Sequence, residues 1–142
     1  MTRVPATAFV VLSMVCPVAI AQVVDFGELQ GVVRLSAQEL RGIAEGAKVS
    51  IVSVDRFFQQ WENESGGKLA ASTRNLNANN PRLGYGNGTW RIEDDGRYCV
   101  EIAWARSSMN WCRHIFRSGD KLYSSAESTN PNGKAYEIEF KK

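Results

Sequence analysis

Cys99, Cys112 and His114 are the side chains with the widest chemical reach in this sequence. Two thiols and an imidazole are soft ligands for zinc or copper, and a thiol beside an imidazole is a nucleophile with its base. His114 is the only histidine, so a serine or cysteine hydrolase built on histidine would have to recruit it. Its neighbours are Arg113 and Ile115, and no carboxylate stands within two positions to orient the ring. A packing or surface histidine is the plainer reading. The two cysteines are far apart in sequence, unlike a Cys-x-x-Cys redox pair, and a disulfide is favoured over a metal site if the chain is exported. No metal and no cofactor are expected.

The other chemistry-bearing groups are acids, indoles and guanidines. Asp94 and Asp95 precede Gly96, where adjacent carboxylates accept hydrogen bonds within a turn and diverge, so they do not form a hydrolase pair. Trp61, Trp90, Trp104 and Trp111 alternate loosely with Arg91, Arg97, Arg106 and Arg113. Such a pattern stacks on bases or sugars, but in a small β-protein aromatics more often fill the interior. Net charge decides against nucleic acid. The chain carries only +2 at pH 7, too little for a polyanion partner.

Export is expected from the first twenty-one residues. Arg3 gives a short positive start, residues 8–15 an apolar stretch, and Ala19-Ile20-Ala21 a small-x-small cleavage site, so residues 1–21 read as a signal peptide. The apolar run is too short to span about 30 Å of hydrocarbon, so no stable membrane anchor is expected. Cys16 lacks the small residues that an acylated cysteine needs before it, and leaves with the signal. Residues 22–142 then form a single β-rich domain, periplasmic or secreted, in which Cys99 and Cys112 pair. Closing that loop contributes roughly 3 kcal/mol in the chain-entropy model.

The elements that must hold these residues are mostly strands. Ser36 and Glu39 make a capping box for one short N-terminal helix, with Leu40, Ile43 and Ala44 on its apolar stripe and Gly46 ending it. Residues 22–34 show no clear period and read as an extended or loosely packed lead-in. After Gly46 the period falls to two, and strands are expected near 48–54, 56–63, 68–74, 88–93, 97–104, 111–117, 121–125 and 134–140. Short polar turns join them, so the chain is a seven- or eight-stranded antiparallel meander that closes into a small barrel or half-barrel. Residues 75–87, rich in Asn and Gly, read as the one long loop, of the kind used for partner contacts.

A disulfide between neighbouring antiparallel strands fixes their register. Tyr98 then faces Arg113, Val100 faces Trp111 and Ile102 faces Met109, all on one face. The other face carries Cys99, Glu101, Cys112 and His114, so the apolar face should be the interior. Arg113 and Arg117 are thereby turned inward, where an unpaired guanidinium is costly. Either they reach the rim with their heads in water, or they line a cavity and bind an anion.

Leu35-Ser36-Ala37-x-Glu39-Leu40, Gly88-x-Trp90, Gly96-x-x-Cys99, Trp111-Cys112-Arg113 and Gly119-Asp120 together resemble an uncharacterised family of small secreted bacterial proteins, a domain of unknown function, over residues 35–125. The resemblance implies export and a shared fold and brings no catalytic residue. The Asn-rich stretch before Gly88 is longer here than in that pattern.

The expected role is an exported, non-enzymatic binding module, a lipocalin-like carrier of a small acidic or amphipathic ligand. Arg113, Arg117, Tyr98, Trp90 and Trp104 are the candidate pocket residues. The rival is a protein-protein interaction module, an inhibitor or envelope accessory acting on an extracytoplasmic protein; a hydrolase stands third.

Overall fold

The structure is a computed structural model that describes residues 22–126 and 130–142; the expected signal segment lies outside them. Ten strands and one helix make it up. In chain order they are β1 (Val23–Asp25), β2 (Val33–Arg34), α1 (Ala37–Ala44), β3 (Lys48–Val52), β4 (Phe57–Asn63), β5 (Lys68–Asn75), β6 (Gly84–Ile92), β7 (Arg97–Trp104), β8 (Ser108–Ser118), β9 (Lys121–Ser125) and β10 (Lys134–Lys141). From β3 onward each strand pairs antiparallel with the next, and β10 pairs back onto β3. The meander is therefore a closed eight-stranded barrel. Closure leaves these strands with no free edge.

Alternation dictates what fills it. Val49 and Ile51, Trp61, Leu69 and Ala71, Tyr98, Val100 and Ile102, Ile115 and Ile138 recur at every second position and form one buried cluster. The β7–β8 register matches the disulfide argument, with Cys99 opposite Cys112, Tyr98 opposite Arg113, Val100 opposite Trp111 and Ile102 opposite Met109. Cys99 and Cys112 are bonded.

One end is stoppered by α1. Ser36 accepts from the Glu39 amide and Glu39 accepts from the Ser36 amide, completing the capping box. Leu40 and Ala44 are fully buried, Leu40 in the same cluster as the barrel interior. Gly46 follows with φ +71°, a left-handed turn that an L side chain resists.

One expectation is corrected and one is narrowed. Residues 75–87 are not one long loop: β5 runs to Asn75, β6 begins at Gly84, and only residues 76–83 connect them. The glycines are the reason. A Cβ on Gly88 would stand 1.7 Å from the Glu101 carbonyl oxygen, and one on Gly86 2.7 Å from the Trp104 ring, so their absence of side chain lets β6 close tightly on β7. Of the two readings of the lead-in, extended or loosely packed, the extended one holds for its two strands. β1 pairs with β10 and β2 with β8, and Phe26 stands edge-on to Phe116 at 5.0 Å. Phe116, Tyr123 and Ala135 point out of the barrel by strand parity yet are buried, so apolar residues on the outer wall require this cover.

Candidate functional site

In an up-and-down barrel, alternate connections meet at the same end, and the two ends of this one differ. The helix end is solidly filled. Trp61 Nε1 donates to Tyr98 Oη at 2.8 Å, Tyr98 Oη donates to Asn63 Oδ1 at 2.7 Å, and Asn63 Nδ2 donates to the Ala44 carbonyl at 2.9 Å. This relay ties the barrel floor to the last turn of α1. Burial pushes the Tyr98 phenol far above its ordinary range, so it stays neutral and acts as a structural strut.

Trp90 belongs to the same end, its Nε1 donating to the Glu64 carbonyl at 2.8 Å. Arg117 ends there too. It has the inward parity, but it pairs with Val33 and Leu122 near the foot of β8 and is exposed, where its charge helps hold Glu39 below the usual carboxylate range, behind the Ser36 hydrogen bonds. Tyr98 is the cross-strand neighbour of Arg113, its ring 5.8 Å from that of Trp111, but its hydroxyl is committed to the floor relay; Trp90 and Arg117 lie toward the foot, and of the five candidate residues Arg113 alone lines the cavity described next.

Arg113 stands midway along β8 with its head toward the open end. Its guanidinium carbon sits 4.6 Å from the Trp111 ring centroid and 4.6 Å from that of Tyr136, a cation clamped between two aromatic faces. Ile51, Ser53, Gln59, Met109, Trp111 and Tyr136 join Arg113 around a cavity of about 390 Å³. Arg113 is the only charged residue lining it. Its Nε is buried with no hydrogen-bond partner, and so is the Oγ of Ser124, whose register neighbours are Ile115 and Tyr136. Burial disfavours the charged guanidinium, pulling its pKa below the usual value, with Tyr136 acting the other way. It remains a cation at any physiological pH. Trp104 closes the far wall of the barrel over Gly86.

Ser124 and Tyr136 were missed in the sequence because their inward parity follows only once the pairing of β9 with β10 is known. The remaining chemical groups serve the wall. Both sulfurs lie within 4.8 Å of a Glu93 carboxylate oxygen, but the disulfide removes the thiolates a soft metal would require. Arg97 N–H donates to Asp95 Oδ1, and Arg97 Nε to Asp95 Oδ2, while Asp94 pairs with Arg41, the turn chemistry expected of the acidic pair. His114 points outward, half-buried, its Nδ1 without a partner. Burial, then Arg34, lowers its pKa.

The sequence model of a family described as a protein of unknown function, DUF995, matches residues 19–136. No curated protein and no solved structure matches the chain. No helix among the described residues is long and apolar enough to cross a membrane.

Proposed function

Since the chain belongs to a family of proteins of unknown function, DUF995, we propose a role from the geometry of its open end: an exported carrier that holds a small anionic amphiphile in the upper half of the barrel. One observation carries this. The cavity of about 390 Å³ has Arg113 as its sole charge, and the Arg113 Nε, buried and unpartnered, is free to donate to a carboxylate, sulfonate or phosphate. The volume lies in the range of small-molecule sites, and the apolar walls of Ile51, Met109, Trp111 and Tyr136 suit a short tail. Trp111 and Tyr136 hold the guanidinium rigid, so little rotamer entropy remains to be lost on binding. The disulfide supports function in an oxidising compartment, periplasmic or extracellular.

Arg113→Met tests the reading, since it keeps most of the stem and removes the charge. Calorimetry with fatty acids and phosphorylated or sulfonated amphiphiles should show the wild type binding at least one class, and the variant weaker by roughly 1.5–3 kcal/mol, the value of a charge-assisted hydrogen bond. Equal affinity in both proteins, or no binding to any member by the wild type, overturns it.

A further inference from the structure

The open end carries more than the cavity. Four connections or strand ends there expose large apolar side chains: Val54 in the β3–β4 turn at 57% exposure, Phe57 at the start of β4, Leu83 before β6 at 56%, and Tyr85 at 68%. Interleaved with them are Arg56, Arg74, Arg82 and Arg106, all exposed. Among the described residues, the acids at this end are Asp55 in the β3–β4 turn and, beside the β9–β10 connection, Asp25 and Glu28, of which Asp25 is paired with Lys134. The helix end is mixed in charge: Arg41 pairs with Asp94 and Arg97 with Asp95, and Lys48, Lys68, Lys121 and Lys141 stand at strand ends there among the acids of the turns.

We propose that the open rim docks on an anionic lipid bilayer, with the arginines on the phosphates and Val54, Phe57, Leu83 and Tyr85 in the interface, so that the cavity mouth faces the membrane. The loading of an amphiphile from that surface rests on the carrier reading; the docking itself does not. Charge complementarity chooses a bilayer over a neutral protein partner. Exposed apolar side chains with arginines between them match the layered chemistry of a headgroup region, where tyrosine and arginine both rest at the boundary. The rim arginines are attracted to the same surface before contact, and more strongly at low salt. Arg56 adds a backbone sign: it holds φ 64° where glycine is the unstrained choice, keeping a guanidinium at the tip of that turn.

Vesicle sedimentation with the purified chain tests this. Vesicles of mixed phosphatidylglycerol and phosphatidylcholine should carry the protein down and pure phosphatidylcholine should not, with the bound fraction falling as salt rises. Each arginine near an anionic surface strengthens partitioning about fivefold, so Arg56→Glu with Arg82→Glu should weaken it by at least about 25-fold. Leu83→Ser with Val54→Ser should weaken it at constant charge. Equal partition onto neutral vesicles, no partition at all, or no change in the charge-reversed protein overturns the docking. Binding of a fluorescent fatty acid without vesicles separates the two readings. A wild type that takes the fatty acid but does not sediment overturns docking and leaves the carrier. One that sediments without taking the fatty acid supports docking and removes the carrier.

Discussion

The two ends of this barrel solve the problem of polar groups near an apolar interior in different ways. At the helix end the indole, phenol and amide of Trp61, Tyr98 and Asn63 are linked in a chain that ends on the Ala44 carbonyl, and Leu40 seals it. At the mouth the Arg113 Nε and Ser124 Oγ are buried without partners. A satisfied buried network rigidifies a fold; an unsatisfied one costs stability and persists where something else supplies the partner. On the carrier reading proposed above, the difference places stability at one end and recognition at the other.

Truncation at the two ends should break that symmetry most visibly. Leu40→Ala empties a fully buried site and should lower unfolding free energy by about 3 kcal/mol in chemical denaturation. Met109→Ala, at the half-buried mouth, should cost about 1 kcal/mol. Similar losses at both sites would show that the mouth is as much a part of the core as the floor. Removing one oxygen comes next. Tyr98→Phe leaves the Trp61 indole and the Asn63 carbonyl without the hydroxyl they share, and roughly 2 kcal/mol should be lost.

The polar group at the other end behaves oppositely. Arg113→Met should change stability by less than about 0.5 kcal/mol or raise it, because the substitution removes a partly desolvated charge that has no ion-pair partner. A loss comparable to that of Tyr98→Phe would mean that the clamp between Trp111 and Tyr136 is structural, and the division between the ends would fail.

The sequence carried the parts of this architecture that follow from local rules. The capping box at Ser36 and Glu39, the period-two runs, and the β7–β8 register implied by Cys99 and Cys112 were all legible, and that register placed Arg113 on the inner face. What depends on which strand meets which was not. Arg117 shares Arg113's parity but lies four residues further along β8 toward the foot of the barrel, so parity alone could not separate an exposed arginine from a clamped one. Tyr98 does face Arg113 across β7 and β8, but its hydroxyl turns to Trp61 and Asn63 and the Trp90 indole to the Glu64 carbonyl, and neither direction can be read from strand parity. The glycines of β6 misled for a related reason. Gly84, Gly86 and Gly88 look like loop residues until the closeness of Thr73 on β5 at Gly84, and of β7 at Gly86 and Gly88, supplies a reason for three missing side chains.

The smallest effect expected lies on the outer wall between the ends. His114 of β8 faces Arg97 on β7 and Ser125 on β9; its ring is 6.3 Å from Phe116, and the charges acting on it are Arg34 of β2, Asp95 of the β6–β7 turn and Arg97. Burial is the main cause of its lowered pKa, Arg34 and Arg97 add to it, and Asp95 opposes them. A histidine with a folded pKa below its unfolded value binds fewer protons when folded. Its contribution is therefore complete above the unfolded value of roughly 6.5 and is lost as pH falls through that value toward the folded one. His114→Gln should remove this loss, so the variant's stability should decline less than the wild type's between neutral and mildly acidic pH, while the two follow the same course above it. Denaturation midpoints across that interval would read the difference. Parallel curves would mean that Asp95 offsets burial and both arginines, and that the wall at β8 does not distinguish the charged ring from the neutral one.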